Sequence, residues 1–267
     1  MHVPAFSIVF MAVSAIISIG LPVGFFVFIY KKHNAKFIPM LVGAAAFVVF
    51  ALVLERYVHY AVFEQYPLRE KPLFFILYGA LMAGFFEETA RLVSFNILKR
   101  KYAGIETGLA YGIGHGGIEA ILLAGISIVA TMVFGILIGT GNTDLVVSML
   151  GEETSKQIEN TIAVTAPHMF LVGGIERLFA ITIQVSLSVI MFYSVYGKGK
   201  IWLYPLAIVL HAVVDVPAAA MQAGVLKSIL LVECLAGVSA VILATVALLV
   251  HRKLKTGIAD APSGKYA

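Results

Sequence analysis

Seven apolar runs, each long enough to cross a lipid bilayer, constrain this chain more than any other feature. They fall near 4 to 30, 37 to 63, 72 to 98, 104 to 139, 161 to 196, 201 to 223 and 226 to 250, and one spanning helix needs about 20 such residues. Lipid offers no partner for backbone N–H and C=O groups, so only helices and closed barrels cross it. Uninterrupted apolar stretches of this length are helices. The expected fold is therefore all-α: a polytopic membrane helix bundle of about seven transmembrane helices. It is expected to form a single integral-membrane domain over residues 1–267, with its motif-bearing core at about 72–220.

With 60% hydrophobic residues, 13% charged residues and a mean hydropathy of +0.96, the chain is too apolar for an ordinary soluble domain. The lipid bilayer is its first partner. The net charge of +4 comes from basic residues in the connectors, where they set topology rather than form a nucleic-acid surface. The first run has no basic leader and no small-residue cleavage site, so it is expected to stay as a membrane helix. The single cysteine, Cys234, excludes an intrachain disulfide and a Cys-only metal cage, and it reads as a small buried hydrophobe. Runs four and five exceed one span and are expected to tilt, kink or end in an interfacial turn, with Pro167 and Gly173-Gly174 as kink points. The one sizeable connector, GNTDLVVSMLGEETSKQIEN, is acidic and suits an amphipathic or lid-like segment.

Lys and Arg in short loops report orientation. Lys31, Lys32 and Lys36 follow the first run; Lys99, Arg100 and Lys101 the third; Lys198 and Lys200 the fifth; Arg252, Lys253, Lys255 and Lys265 the seventh. All four groups fall on one face, while the other carries Arg69, Lys71, Lys156 and Lys227. The expected topology has the N-terminus outside and the C-terminus in the cytoplasm.

Within this apolar background, the stretch GFFEETARLVSF at 84 to 95 places Glu87, Glu88 and Arg91 inside a span. An ionisable group at the bilayer centre costs roughly 2.5 to 3.5 kcal/mol on insertion scales, so such groups serve pairing or function. Glu87 lies 12 residues before Lys99, His115 lies 14 after Lys101, and His211 lies 11 after Lys200. At a rise of 1.5 Å per residue, these offsets put all three about 17 to 21 Å from one membrane face. Glu87 with Arg91, His115 with Glu119, and His211 with Asp215 are i, i+4 pairs, and each pair shares a helix face. Glu88 points about 100° away from Glu87. Gly108, Gly112 and Gly116 form a small-residue stripe on the span that carries His115, the pattern that lets membrane helices approach closely.

Plainer explanations exist for each feature. Glu87 with Arg91 could be an intrahelical ion pair, although one arginine cannot neutralise two carboxylates, and a lone intramembrane histidine is commonly a packing residue. Two histidines at matched depth, each with a carboxylate one turn later, favour a site instead. Glu55, Arg56, His59, Glu176 and Arg177 lie nearer the outer face and read first as a structural salt-bridge set and second as support for the site.

Carboxylates and imidazoles around a membrane-embedded site suit hydrolysis: a carboxylate takes a proton from water, and histidines polarise the water and stabilise the oxyanion. GxSxG, GxxxxGK[ST] and HExxH motifs are absent, which withdraws the usual support for serine hydrolase, NTPase and zincin chemistry.

EETAR at 87 to 91, YGIGH at 111 to 115 and HAVVD at 211 to 215 resemble, in order and spacing, the three motifs of the CAAX prenyl protease 2 and bacteriocin-processing (CPBP) superfamily of intramembrane proteases. The HGGIE run at 115 to 119 and the chain length look most like its YhfC-type intramembrane metalloproteases, with PrsW-type proteases as relatives. The resemblance covers roughly residues 72 to 220. It implies an intramembrane protease of a bacterial cell membrane, glutamate-type or metal-dependent, whose substrate is a membrane-associated protein or peptide. Under it Glu87 and His115 activate water, Glu88 orients the site, and His211 and Asp215 act on the intermediate, with Arg91 and Glu119 in support. This chain departs from the superfamily pattern twice. Two residues rather than three separate the glutamate pair from Arg91, and Asp215 stands where many relatives carry Asn, so it can donate to an oxyanion only when protonated. Ionised, Asp215 suits orienting His211 or ligating a metal. Glu87, His115, Glu119, His211 and Asp215 are all acceptable Zn²⁺ ligands, so metal-free and zinc chemistry both remain open. Two other functions fit the same residues: a proton-coupled transporter, and a catalytically silent membrane binding or immunity protein.

Overall fold

The computed structural model describes residues 3–197 and 199–259, with side chains through residue 253. Lys198 and Lys265, and the side chain of Lys255, lie outside that description. Every regular element among the described residues is helical. Among the described residues, seven helices are long and apolar enough to cross a membrane: α1 (Ala5–His33), α2 (Phe37–Gln65), α3 (Pro72–Leu98), α4 (Glu106–Gly139), α7 (Pro167–Tyr196), α8 (Leu203–Gln222) and α9, whose apolar part is Ile229–Lys253. Between α4 and α7 the chain forms two short helices, α5 (Thr143–Leu150) and α6 (Glu152–Val164). The membrane-helix count and the all-α class agree with the sequence reading.

Local sequence explains the helix ends. Pro72 opens α3, where its missing N–H has no partner to lose. Asn34 adopts a positive φ in the turn between α1 and α2, one of the few residue types that does so readily. Gly151, at φ 81°, separates α5 from α6 within the acidic connector. Run five is shorter than its apolar pattern suggested: Thr165 is extended, and α7 begins at Pro167. The residue before a proline disfavours the helical region, so Pro167 starts a helix rather than bending one. Nor do Gly173 and Gly174 break α7, which runs unbroken through them. The added length of α1, α2 and α4 is accompanied by π-helical turns at Ile16–Gly20, Val48–Glu55 and Ile121–Gly125.

The chain divides into two compact units, Met1–Gly24 with Glu119–Leu178, and Phe25–Ile118 with Phe179–Ala267. In the first, Gly174 lets α7 meet α1: a Cβ there would lie 2.8 Å from Ser14 Cα. Ser14 Oγ donates to the Phe170 carbonyl at 2.5 Å across the same contact. In the second, Ala90, Phe95, Tyr111, Met191, Phe192 and Ala207 form a buried core. Large apolar side chains such as Phe74, Leu81, Val213 and Val241 are exposed, as lipid contact requires. Cys234 is exposed on α9 rather than buried. In a span apolar on every side, hydropathy does not separate the lipid-facing side from the packed one.

Candidate functional site

Four helices of the larger unit bring their polar groups together. On α3, Glu87, Glu88 and Arg91 are all buried, and Arg91 and Glu88 have no exposed surface. The backbone of α8 reaches this turn because Gly84 stands in its way without a side chain: a Cβ there would lie 2.7 Å from the Ile208 carbonyl oxygen and 3.5 Å from His211 Cβ. α4 supplies His115, fully buried and edge-on to Phe47, their ring centroids 5.2 Å apart. α8 supplies His211, also buried, and Asp215, partly exposed.

Glu87 stands at the centre of this group. His115 Nε2 donates to its Oε2 at 2.8 Å, and His211 Nε2 lies 3.9 Å from the same oxygen. The structure thus joins the three groups that the sequence places at one depth. Among the described residues, the hydrogen bonds from His115 and Gln184 to Glu87 both reach Oε2 rather than Oε1. Glu88 plays a different part: its Oε1 accepts from His211 Nδ1 at 2.9 Å and from Arg91 Nη1 at 2.5 Å. Arg91 also approaches Glu87 Oε2 at 3.7 Å, so the shorter spacing of EETAR still sets one guanidinium between both carboxylates. Asp215 Oδ2 lies 3.5 Å from His211 Nε2. His211 is therefore oriented from both nitrogens, by Glu88 on one side and Asp215 on the other.

Breaking a buried ion pair by removing one partner costs roughly 3 to 5 kcal/mol. Arg91 therefore stabilises the fold as well as the site's charge balance. Two buried atoms of the cluster, Glu88 Oε2 and His115 Nδ1, have no hydrogen-bond partner among the described residues.

Sequence reasoning missed two participants, both on α7. Gln184 Nε2 donates to Glu87 Oε2 at 2.9 Å, and its Oε1 accepts from Arg91 Nη2. Ser188 Oγ accepts from Arg91 Nε at 3.2 Å. The available signal was a buried glutamine and serine at i, i+4 inside a span, a milder version of the pattern that singled out the histidines.

Glu119 takes part in an ion-pair set on α4 and α7. Its carboxylate pairs with Arg177 at 3.3 Å, and Arg177 also pairs with Glu176; all three belong to the smaller unit. The residues read as one salt-bridge set divide accordingly, because Glu55 instead accepts from His59 Nε2 at 3.1 Å while the Tyr78 hydroxyl donates to His59 Nδ1 at 3.0 Å. Arg56 is exposed.

Glu87, His115, His211 and Asp215 have the chemistry of zinc ligands, but their arrangement does not suit one as it stands. Among the described residues no group of three or more His, Cys, Asp or Glu side chains is placed to hold a metal ion, and Glu87 Oε2 already accepts two hydrogen bonds.

Comparison with known proteins places this geometry in context. No solved structure matches the chain. A curated relative, "Uncharacterized membrane protein YhfC" of Bacillus subtilis (strain 168), is 34% identical over 232 residues, covering 85% of this chain and 90% of that protein. The family described as "YhfC intramembrane metalloprotease" matches residues 17–236, a range that contains every residue of the Glu87 cluster. The chain is a membrane protein of the YhfC intramembrane metalloprotease family.

Proposed function

We propose that this protein is an intramembrane endopeptidase that hydrolyses a peptide bond of a membrane-associated protein or peptide. The observation that carries the proposal is the convergence of Glu87, His115 and His211, from three different helices, on a single carboxylate oxygen inside the span. Such groups are costly in a bilayer and mark function when they meet. The family's description as proteases supports the same reading.

The residues divide the chemistry between them. His115 and Gln184 hold Glu87 through Oε2, which leaves Oε1 to take a proton from water as its oxygen attacks the peptide carbonyl. The proton then passes to the leaving amine, which restores the carboxylate. His211 donates its Nδ1 proton to Glu88, so as an imidazolium it presents a second proton on Nε2 to the oxyanion. Asp215 Oδ2 lies 3.5 Å from that nitrogen and helps aim it. Glu88, held by Arg91, keeps the ring oriented. The site is expected to open toward the cytoplasmic half, with the N-terminus outside.

The test is cleavage of a membrane-associated substrate by purified protein in liposomes. Glu87→Gln, which keeps shape and removes the base, and His211→Ala should each lower kcat by about 100-fold or more, the range general acid–base groups supply. Unchanged cleavage in both variants would overturn the proposal, and proton-driven flux lost in Glu87→Gln would replace it with a carrier.

A further inference from the structure

We infer that Gln184 is a positioning residue for Glu87, an amide that links Arg91 to the base and determines which carboxylate oxygen faces the water. The inference rests on the reading of Glu87 as the base.

Its geometry admits one orientation. Arg91 can only donate hydrogen bonds, so the amide edge facing Nη2 must be the Gln184 oxygen. The amide nitrogen then faces Glu87, 2.9 Å from Oε2. With His115 donating to the same oxygen, the carboxylate is gripped from α4 and α7 at Oε2, and Oε1 is the oxygen left for proton transfer. A carboxylate held through one oxygen cannot turn about its last bond without breaking both contacts, so the grip restricts the rotation that would misplace the base.

The fold is built to deliver Gln184 to this place. α4 and α7 meet along the glycine stripe: a Cβ on Gly116 would lie 2.7 Å from Gln184 Cβ, and one on Gly112 would lie 2.7 Å from Val185 Cα. No side chain fits between the helices there. One turn along α7, Ser188 Oγ accepts from Arg91 Nε and donates to the Gln184 carbonyl. The guanidinium and the amide are thereby held by the same two turns of helix. Gln184 itself is 5% exposed, so its amide is not a surface group that happens to point inward.

Two measurements test this. Gln184→Met keeps length and helix preference but removes the amide's hydrogen bonds to Arg91 and Glu87. It should lower kcat by about 10- to 100-fold, the worth of a hydrogen bond to a charged group, with KM within about twofold. Unchanged kcat, or a loss confined to KM, would overturn the positioning role. The second measurement needs no substrate: melting temperatures in detergent micelles of Gln184→Glu, Glu87→Gln and the double variant. Gln184→Glu sets two carboxylates face to face, whereas the double variant restores an amide facing a carboxylate with the roles exchanged. The double variant should melt higher than the two single shifts added together predict. Simple additivity would sink the contact, whatever the enzyme assay shows. If wild-type protein cleaves nothing while the exchanged pair still recovers stability, the endopeptidase reading falls and the Gln184–Glu87 link stands.

Discussion

Gly114 offers the most direct test of whether helix packing sets the geometry of the Glu87 cluster. It lies on α4 beside His115, and the backbone of α2 crosses it so closely that a Cβ would sit 1.9 Å from the Met40 carbonyl oxygen and 2.9 Å from Met40 Cα. Ordinary contact begins at 3.4 Å, a shortfall of about 1.5 Å against the Met40 oxygen that two backbones must supply between them. No flexible side chain is available to yield. Gly114→Ala should therefore displace this turn of α4 and lengthen the 2.8 Å bond between His115 and Glu87 beyond hydrogen-bonding range. Overpacking of this kind costs about 1 to 3 kcal/mol in stability. A misplacement near 1 Å costs about 100-fold in rate. The control is Gly79→Ala on α3, where a Cβ would meet nothing within 4 Å, and where alanine gains roughly 0.5 to 1 kcal/mol as a helix residue. The two variants are compared by melting temperature in micelles and by kcat in liposomes. If Gly114→Ala matched Gly79→Ala in both, the α2–α4 contact would not control the site and the reasoning from close approach would fail.

Arg91→Met should destabilise the protein by about 3 to 5 kcal/mol, because it leaves Glu88 and Glu87 buried without their cation. Arg91→Lys should recover little of this, since one ammonium cannot reproduce the fork that reaches Glu88, Gln184 and Ser188 together; wild-type melting of the lysine variant would contradict that assignment. Metal content is decided by elemental analysis and by cleavage after chelator dialysis. With Glu87 Oε2 accepting two hydrogen bonds and, among the described residues, no group of three or more His, Cys, Asp or Glu side chains placed to hold a metal ion, activity should survive the chelator. One tightly bound ion per chain, with activity lost on its removal and restored on its return, would instead assign Glu87, His115, His211 or Asp215 as ligands and replace the water-activation step.

Much of this protein was determined by its sequence alone. The membrane helices follow from the length of the apolar runs, because lipid leaves the backbone no other partner. Glu87, Glu88, Arg91, His115, His211 and Asp215 were legible as a group because ionisable side chains are conspicuous in such runs and their distances from the basic loops fix their depth. Tertiary structure alone decided what each one touches. Depth and helical face are properties of one helix, whereas the choice of partner depends on how neighbouring helices rotate and how closely they pass. That is why Glu119, one turn from His115, pairs with Arg177, why Glu88 rather than Asp215 takes His211 Nδ1, and why Gln184, unremarkable in sequence, grips the central carboxylate. The exposure of Cys234 has the same origin, since lipid and protein interior are both apolar and only packing tells them apart.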